Sequence, residues 1–557
     1  MKPDGFQGTW REDIEARAVY SESAGILRSI PAAVAIPRDA EDVQRVLRHA
    51  SASGYAVTAR GAGSSMPGGA VGEGFLLDMS AMNWIGAVDS VGGRVRAGPG
   101  ATCAAIQRAA ALKGLRFPVD PSSGSFCTVG GMVGTNAAGP HSLRFGPTSD
   151  WVSALECVFA DGSKAVLRRG APFPRSSTTL ERVAARVAEW QKRAAAIPPL
   201  RVRKNSSGYA IHRFAASGDP IDLLVGSEGT LAIVVAVEVR LVPAPLESAA
   251  ILSEWPDLES ALRGAAVARE AGCASCEILD STFLELVRSS GTEVSAASAA
   301  ILFTELEADA PLETFTLWGR VAARRAHDGL RARAAALQQA LAAAGASRTR
   351  VAVGSQEITE LWSVRHRASP AISTMFPGLR SVQVVEDGCV PPEHFAEYVR
   401  RLRTSIAQRG FGAVLFGHAG DAHMHANVLV DVSSPRWRQR LEELLHDVAE
   451  TVASLRGTLA GEHGDGRLRS ALLDRIWPPE AITLFREIKE TFDPGWVLNP
   501  GVKLWRHGYS YSVKFDPAAE PLPEQAARVL EFVAARQAYD RPRLALLDAA
   551  RTGDLGS

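Results

Sequence analysis

Residues 60–69 read Arg60-Gly61-Ala62-Gly63-Ser64-Ser65-Met66-Pro67-Gly68-Gly69, a glycine-rich run that follows an apolar segment predicted to be a strand. Such a run can turn its backbone N–H groups inward around an anion such as a pyrophosphate. It does not read G-x-G-x-x-G, and no long amphipathic helix follows it, which excludes a Rossmann site. Taken alone, the run also fits an ordinary loop.

The segment before this run predicts a strand, a helix and a second strand. Residues 33–37 are apolar, and Asp39 opens a helix that carries Glu41 and Asp42 in its first turn. Apolar residues then recur at helical spacing as far as Gly54, which ends the helix. The glycine-rich run therefore follows the second strand of a mixed α and β segment.

Two further glycine-rich pieces lie downstream. Residues 121–139 are rich in glycine and small side chains, and residues 226–230 read Gly-Ser-Glu-Gly-Thr before an apolar segment that predicts a strand. Small side chains let a bulky planar ligand pack on the backbone, and the composition is too apolar for a flexible linker. Three such pieces in one chain favour a bound ligand over an ordinary loop.

Residues 417–427 read Gly-His-Ala-Gly-Asp-Ala-His-Met-His-Ala-Asn between two apolar segments, which predicts a β-hairpin. With a two-residue Asp-Ala loop, His418 lies directly opposite His425, and opposed Cβ atoms on one face are roughly 5 Å apart. Strand alternation adds His423 and Asn427 to the same face. Three imidazoles and one amide do not make a core face.

A second polar cluster, residues 461–467, reads Gly-Glu-His-Gly-Asp-Gly-Arg and places a carboxylate beside an imidazole. Two imidazoles and one carboxylate suit zinc or a similar divalent ion, with positions left open for a substrate. We therefore predict a metal site of His418, His425 and Glu462, with His463 free to act as a base. The alternative is that these histidines are satisfied polar groups at a domain boundary.

The composition is that of an ordinary globular protein of more than one domain. The chain has 557 residues, which is too long for one compact core and predicts two or three domains. Apolar residues make up 46% and charged residues 22%, as in typical globular proteins. Lys+Arg and Asp+Glu both number 61, so charge gives no case for a nucleic-acid partner.

The sequence carries no evident targeting or membrane signal. Its first residues lack the apolar segment of a signal peptide, and no run approaches 18 uninterrupted apolar residues. Six cysteines do not make a disulfide framework at this length, and the C-x-x-C pair of Cys273 and Cys276 stands without a second pair. We expect a cytoplasmic protein without a membrane span; peripheral association with the inner membrane is compatible with this.

Motifs along nearly the whole chain, in order, resemble those of the FAD-linked oxidases with the vanillyl-alcohol-oxidase or PCMH-type fold, specifically the D-2-hydroxy-acid dehydrogenase branch. The resemblance rests on the combination of motifs rather than on any one of them. They are Tyr20-Ser-Glu-Ser-Ala24, Pro37, the pieces at 60–69, 121–139 and 226–230, Lys204-Asn-Ser-Ser-Gly208-Tyr209, Leu361-Trp362-Ser-Val-Arg365, Glu386-Asp387, 418–427, Glu462-His463-Gly464 and Asn499-Pro500-Gly501.

The resemblance implies an α+β fold. It would combine a PCMH-type FAD-binding domain of two subdomains with an α+β substrate-binding cap that contains an antiparallel sheet. The expected boundaries are 1–245 for the FAD-binding domain, 246–455 for the cap and 456–504 for a return to the FAD domain. Residues 505–557 form a C-terminal extension to which the resemblance assigns no role.

The resemblance also implies bound FAD, with its pyrophosphate on the first two glycine-rich runs. Members that attach the flavin covalently often have a histidine where this chain has Ser64-Ser65, and Cys127 and His141 are poorer attachment points, so we predict non-covalent FAD. The implied cofactor-binding residues are Arg60, Gly61, Ala62, Gly63, Ser64, Ser65, Gly68, Pro121, Ser122, Thr128, Gly130, Gly131, Asn136, Gly139, Glu228, Gly229, Ile233 and Asn499.

The implied reaction is oxidation of a D-2-hydroxy acid of the lactate, glycolate or 2-hydroxyglutarate class to its 2-oxo acid, with hydride transfer to the flavin. Arg365 would hold the substrate carboxylate, the alternative being an ordinary surface arginine on a helix. Asn427 would hydrogen-bond the substrate, and His463 would take the hydroxyl proton. The metal, zinc with manganese or iron as alternatives, would assist at the substrate oxygen.

Two positions depart from the family pattern. Ala232 stands where the family usually has glycine, which loosens the cofactor match at that point. His423 stands where the family commonly has asparagine, so an extra imidazole could join the metal ligands.

The sequence shows no second cofactor motif that would indicate where the electrons of the flavin go. Larger relatives continue into an iron–sulfur domain with clustered cysteines, whereas no cysteine follows Cys389 here. Electrons would then pass to a separate iron–sulfur subunit, a quinone or oxygen. We also expect a homo-oligomer.

Three other functions compete with this interpretation. An alkylglycerone-phosphate-synthase-like enzyme would keep the fold for a non-redox exchange, but needs a lipid channel and a phosphate site. A metal-dependent hydrolase would use the His/Glu set to activate water. A non-catalytic flavin-binding subunit is disfavoured by the retained Arg365, His463 and metal ligands.

Overall fold

The computed structural model describes residues 1–289, 294–309, 317–362, 376, 378–505, 512–516 and 518–555. Among the helices of these ranges, none has the length and apolar character of a membrane span. Arg365, predicted to hold a substrate carboxylate, lies outside the described residues.

The first sheet follows the predicted strand–helix–strand pattern. Asp39 accepts a hydrogen bond from the N–H of Asp42 and caps the connecting helix, and Gly54 ends this helix with a positive φ of 73°. The last three strands in spatial order run parallel, and the first is antiparallel to its neighbour. The order is Thr9–Arg11, Ala33–Ile36, Phe75–Asp78 and Val57–Arg60, with the helix Ala40–Ser53 between the second and the last.

The second sheet is antiparallel and contributes side chains to two cores. Val158 and Ile233 pack into the core of the first sheet, while Leu155 and Val237 face a second core that also holds Phe485. Its strands are, in spatial order, Arg94–Ala97, Ile233–Arg240, Val152–Val158 and Lys164–Arg168; the helices on its core are Cys103–Ala111, Val129–Thr135, Thr178–Ala196, Ile211–Ser217, Ile221–Leu224 and Pro479–Phe492.

Within the described residues, the third sheet contains eight antiparallel strands. Neighbouring residues of its strands face opposite cores: Ala249 and Ile251 pack on one side, Ala250 and Leu252 on the other. In spatial order the strands are Arg348–Val353, Glu247–Trp255, Ala300–Ala308, Ser275–Asp280, Gly412–His418, His423–Val430 and Arg380–Val382, with Gly388–Cys389 also paired to His423–Val430; the longer helices beside them are Leu258–Glu270, Ser281–Ser289, Leu317–Ala343, Phe395–Gln408 and Trp437–Ser454.

The remaining elements are short or C-terminal. Leu27–Arg28 pairs with Ser512–Val513, and Leu115–Arg116 pairs with Val242–Pro243. The remaining helices are Ile14–Ala18, Ser142–Phe145, Gly466–Ser470, Leu473–Ile476, Glu524–Arg536 and Arg543–Thr552, with single 3-10 turns at Met79–Ala81, Thr148–Asp150, Pro392–His394 and Ala419–Asp421. The α+β fold with its antiparallel cap sheet is confirmed.

The register predicted for the histidine hairpin is wrong. The connection is not a two-residue Asp-Ala loop but a 3-10 turn, Ala419–Asp421, followed by Ala422 with φ 54°. His418 therefore faces His423, and Phe416 faces His425. The pairing is displaced by two residues, and because side chains alternate with a period of two, the same side chains still share one face.

Candidate functional site

A cavity of about 1140 Å³ lies between the glycine-rich loops and the histidine hairpin. Small-molecule pockets typically measure about 300–1000 Å³, so this cavity has room for a dinucleotide and a small substrate together. Its lining includes residues 59–66, 120–128, 130–135 and 227–229 on one side, and Gln383, Glu386, Phe416, His425, Asn427, Glu462 and His463 on the other.

Most of the predicted cofactor-binding residues line this cavity. Gly68, Asn136, Gly139 and Asn499 are not among its lining residues. The lining set is Arg60, Gly61, Ala62, Gly63, Ser64, Ser65, Pro121, Ser122, Thr128, Gly130, Gly131, Glu228, Gly229 and Ile233.

Residues behind the lining hold the loops in place. The side-chain amide of Asn499 donates to the carbonyl oxygens of Gly69 and Glu228, at 2.9 and 2.8 Å. Asn136, with φ 53°, accepts a hydrogen bond of 2.9 Å from the N–H of Ser149. Asn499 thus ties the first glycine-rich loop to the third.

The first two loops touch at Gly61. A Cβ atom on Gly61 would lie 2.1 Å from Oγ1 of Thr128, the hydroxyl that caps the helix Val129–Thr135. The loop also wraps around the buried guanidinium of Arg60, since a Cβ on Gly63 would lie 2.2 Å from its Nη2. Within the described residues this Nη2 makes no hydrogen bond. A cationic group with a spare donor in a glycine-lined wall fits a diphosphate-containing cofactor.

The histidine hairpin brings three imidazoles together. The ring centroids of His418 and His425 are 5.1 Å apart, and those of His423 and His425 are 4.6 Å apart. Nε2 of His418 lies 3.1 Å and Nε2 of His425 3.3 Å from the same carboxylate oxygen, Oε1 of Glu462. The three residues predicted as metal ligands therefore converge on one point.

The outer ring nitrogens of two imidazoles are held by other groups. Nδ1 of His425 donates to the backbone carbonyl of Glu386 at 2.6 Å, which leaves the lone pair on Nε2. Nδ1 of His418 lies 2.6 Å from a carboxylate oxygen of Glu277. Orienting contacts of this kind are typical of histidines that bind metals. The donor set fits a divalent ion with nitrogen and oxygen ligands.

His423 is oriented differently from the other two imidazoles. Its Nε2 lies 2.9 Å from Oδ1 of Asp387, and burial lowers the pKa of His423 to about 4, so the ring is neutral. Its potential ligand atom nevertheless lies within 4.8 Å of those of His418, His425 and Glu462. An additional imidazole is therefore within reach of the same point.

Glu462 is kept ionised by its neighbours. Burial pushes its pKa upward, but Lys204 and His418 outweigh this effect and hold the pKa well below its usual range. Nζ of Lys204 donates to Oε2 at 2.9 Å, so Oε1 remains turned toward the imidazoles. Burial also lowers the pKa of His425, which favours the neutral ring that a metal ligand requires.

His463 lies beside this cluster with 30% of its side chain exposed. It stacks on His425 with ring centroids 5.2 Å apart, its Nδ1 lies 3.3 Å from Oε1 of Glu386, and its Nε2 lies 3.8 Å from Glu462. Burial lowers the pKa of His463, but Asp387, Glu386 and Glu462 raise it to about 9. Without a further positive charge, His463 is therefore protonated at neutral pH.

Glu386, Asp387 and Arg469 hold this site together, although the sequence indicated Glu386-Asp387 only as a motif and gave no role to this pair or to Arg469. Asp387 accepts hydrogen bonds from the backbone N–H groups of Glu462 and His463 and from Arg469, at 3.1, 2.8 and 3.1 Å. Arg469 also pairs with Glu386. Pairing of Gly388 with Met424 brings this acidic pair over the imidazoles. The available signal was an acidic pair directly after the apolar residues Val384 and Val385.

Asn427 and Arg365 are the two other residues that we predicted to be catalytic. Asn427 lines the cavity, in the strand His423–Val430 and on the face of the imidazoles. Arg365 is outside the described residues. Trp362 of the same Trp-x-x-Arg pattern lines the cavity and donates from Nε1 to Glu305 at 3.0 Å.

Two protein families match the chain. Residues 31–167 match the family described as FAD binding domain, and residues 244–502 match the C-terminal domain of FAD linked oxidases. The D-lactate dehydrogenase of Archaeoglobus fulgidus is 30% identical over 472 residues, or 84% of this chain and 89% of the relative. The glycolate oxidase subunit GlcD of Bacillus subtilis is 28% identical over 491 residues, or 87% of this chain and 92% of the relative.

Solved structures share the fold at low sequence identity. The 4-ethylphenol oxidase of Gulosibacter chungangensis superposes with a TM-score of 0.63 at 16% identity, covering 89% of this chain and 94% of its own. An alkyldihydroxyacetonephosphate synthase has a TM-score of 0.58 at 14% identity, covering 88% and 82%. The two family matches and the relatives together place the chain in the FAD-linked oxidase family, in its D-2-hydroxy-acid dehydrogenase branch, as an FAD-dependent oxidoreductase.

Proposed function

We propose that this protein oxidises a D-2-hydroxy acid of the lactate, glycolate or 2-hydroxyglutarate class to the corresponding 2-oxo acid. The observation that carries the proposal is the position of His463 at the cavity wall, stacked on His425 and next to the carboxylate of Glu462. The names of the relatives, D-lactate dehydrogenase and glycolate oxidase subunit, support the substrate class.

In this proposal FAD lies without a covalent bond in the cavity between the glycine-rich loops. Arg60 and the loop Gly61–Ser65 would hold its diphosphate, and the second loop, from Pro121 to Gly131, would complete the wall. Bound FAD supplies a two-electron acceptor for the hydrogen on the substrate's hydroxyl-bearing carbon. The first two loops are packed closely against each other at Gly61 and Thr128.

We propose that His418, His425 and Glu462 hold a divalent ion, with His423 as an additional candidate ligand. A bound divalent ion supplies a Lewis acid that polarises a substrate oxygen and lowers the pKa of a hydroxyl. Zinc suits the ligand set best, with manganese or iron as alternatives. Glu277 and the carbonyl of Glu386 would hold the imidazoles of His418 and His425 with their Nε2 atoms toward this ion.

His463 would accept the hydroxyl proton on Nε2. Its Nδ1 is occupied by Glu386, so Nε2 is the ring atom that remains for substrate. In the bare chain, negative charge raises the pKa of His463 to about 9. A cation held by Glu462 would offset one of the three carboxylates that raise this pKa, while Asp387 and Glu386 would still act on it. A cation at Glu462 would therefore favour proton acceptance by His463.

Two polar side chains would orient the substrate. Asn427 would hydrogen-bond it from the same face as the imidazoles, and Arg365 would hold its carboxylate through a two-point contact. The electrons would leave to a separate iron–sulfur protein, a quinone or oxygen. A subunit role within a larger complex is compatible with this route.

Anaerobic flavin bleaching tests the proposed reaction. The purified protein is mixed without oxygen with the D- and L-forms of lactate and 2-hydroxyglutarate and with glycolate, and absorbance near 450 nm is followed. We expect rapid bleaching by one of these acids, with the D-form preferred where the acid is chiral. If the protein contains flavin but none of these acids bleaches it, the family assignment stands and the proposed substrate class is wrong.

Gly61→Ala is expected to weaken FAD binding without unfolding the protein. The new Cβ would meet Oγ1 of Thr128 at 2.1 Å, and overpacking of this kind costs about 1–3 kcal/mol. If the loop must return to its present position to bind FAD, the bound state bears this cost and FAD affinity falls roughly 5- to 150-fold. Titration of the apoprotein with FAD, followed by flavin fluorescence, measures this change.

Gly329→Ala is the control for this substitution. Nothing lies within 4 Å of a Cβ at Gly329, which is inside the helix Leu317–Ala343, so the change should leave FAD binding intact and slightly favour the helix. If Gly61→Ala and wild-type protein bind FAD with equal affinity, the first loop is not part of the cofactor site.

A further inference from the structure

The C-terminal helices form part of the cavity wall although both family matches end before them. The match to the FAD linked oxidases ends at residue 502, whereas the helices are Glu524–Arg536 and Arg543–Thr552. Four residues of this segment line the cavity together with the glycine-rich loops, namely Ala534, Ala535, Gln537 and Tyr539. Neither the cofactor-binding residues predicted from the sequence nor the family matches include them.

The segment is anchored on the first subdomain by a core of its own. Val529 and Leu547 pack in one cluster with Tyr20 and Leu76. At the surface, Nε of Arg551 donates to Glu15 at 3.0 Å. The helices are therefore fixed on the same subdomain that carries the first glycine-rich loop.

Tyr539 makes the contact with the second glycine-rich run. Its ring centroid lies 5.3 Å from that of Phe126, at an interplanar angle of 40°, and both rings line the cavity. Gln537 ends the preceding helix with φ 52° and turns the chain toward this contact. The guanidinium of Arg543 lies 5.4 Å from the centre of the Tyr539 ring and donates from Nη1 to the carbonyl of Ala538 at 3.2 Å. The ring of Tyr539 is thus positioned by Arg543 as well as by Phe126.

Positive charge accumulates at the same wall. Arg543 and Arg60 are both buried, and the pKa of Arg543 is lowered to about 10, by burial first and by Arg60 second. Within the described residues, Nε of Arg543 and Nη2 of Arg60 make no hydrogen bond. Asp78 offsets part of this charge and accepts from Tyr20 at 2.6 Å. An anionic ligand beside this wall would offset more of it.

We propose that residues 524–552 belong to the FAD site, with Tyr539 and Gln537 closing the cavity beside the first two glycine-rich loops and slowing the dissociation of FAD. The proposal rests on FAD occupying this cavity, which the flavin content of the purified wild-type protein tests separately. Tyr539 acts by covering the cofactor and takes no part in the reaction.

Tyr539→Ala tests the covering ring. We expect the dissociation constant of FAD to increase about tenfold, because an aromatic ring that packs on a planar group contributes about that much or more. Tyr539→Phe keeps the ring and should bind FAD as the wild type does. The readout is the fluorescence of FAD released on dilution. It is measured below the melting temperature of each apoprotein, because loss of a ring packed on the C-terminal core and on Phe126 also lowers that temperature.

Ala535→Glu tests the cavity wall without removing a packing group. Ala535 is exposed toward the cavity, and a carboxylate there would repel an anionic cofactor, so we expect at least a tenfold loss of FAD affinity. Gln525→Glu adds the same charge to the same helix at a position that does not line the cavity, and should bind FAD within twofold of wild type.

Two outcomes would overturn the proposal. If Tyr539→Ala and Ala535→Glu both bind FAD as tightly as wild type, the segment is not part of the cofactor site. If Ala535→Glu and Gln525→Glu lose FAD equally, the loss reflects charge on the helix rather than closure of the cavity. A wild-type protein without flavin, unable to bind added FAD, would instead contradict the assignment of the cavity itself.

Discussion

Replacing His463 with alanine is expected to slow anaerobic reduction of the flavin by substrate about 100- to 10,000-fold, the range typical of a lost general base. The imidazole stacks on His425 and presents Nε2 beside Glu462, while Glu386 occupies Nδ1. Alanine leaves no group at this position to accept the hydroxyl proton. Stopped-flow absorbance of the flavin under substrate saturation measures the rate.

The design of this experiment separates proton transfer from cofactor loss. FAD content and the affinity for added FAD should be unchanged in His463→Ala. Added imidazole should restore part of the rate, because the side chain is 30% exposed and its place is open to the cavity. His212→Ala serves as the control, since His212 stacks on Trp477 and is not among the residues that line the cavity. Flavin reduction at wild-type rate in His463→Ala would exclude the proposed role.

The histidine cluster could be predicted from the sequence in spite of an error in register. The predicted hairpin placed His418 opposite His425, whereas the structure pairs His418 with His423. A displacement by one residue would have moved half of the imidazoles to the other face of the sheet. A displacement by two residues leaves the same side chains on the same face of the sheet. Only the residues that lie directly opposite each other change.

The groups that orient the cluster could not be predicted, because they come from elements distant in the sequence. Glu277 reaches His418 because Ile278 pairs with Gly417. This pairing joins residues 139 positions apart in the chain, and no local sequence pattern predicts it. Lys204 reaches Glu462 across 258 positions of the chain. Local periodicity predicts which face is polar, whereas the partners depend on how the sheets assemble.

The same limit applies to the cavity between the glycine-rich loops and the histidine hairpin. Glycine-rich runs predicted loops that approach a ligand, and most of their residues do line the cavity. That Gly61 faces Thr128 and that Tyr539 faces Phe126 depends on tertiary packing. The C-terminal residues carry no glycine-rich or metal-binding pattern, so nothing in their sequence assigned them to the wall.

Removing Glu462 or the proposed divalent ion is expected to abolish substrate-dependent bleaching while leaving FAD in place. The Nε2 atoms of His418 and His425 converge on Oε1 of Glu462, at 3.1 and 3.3 Å. Loss of a group that only orients a ligand typically costs 10- to 100-fold in metal affinity, so loss of the carboxylate ligand should cost about 100-fold or more. Glu462→Gln keeps the size of the side chain and removes its charge.

Metal content and flavin reduction, measured on the same samples, decide this prediction. We expect about one divalent ion per wild-type chain by elemental analysis, loss of bleaching after dialysis against a chelator, and recovery on addition of zinc or manganese. Glu462→Gln should contain little metal and should not recover, whereas Glu443→Gln, a surface carboxylate paired with Arg409, should behave as wild type. Because Asp387, Glu386 and Glu462 raise the pKa of His463, chelated wild-type protein should also keep this imidazole protonated. A loss of rate without a loss of FAD is therefore expected. Bleaching at full rate in the metal-free protein would show that the histidine cluster serves the reaction without an ion.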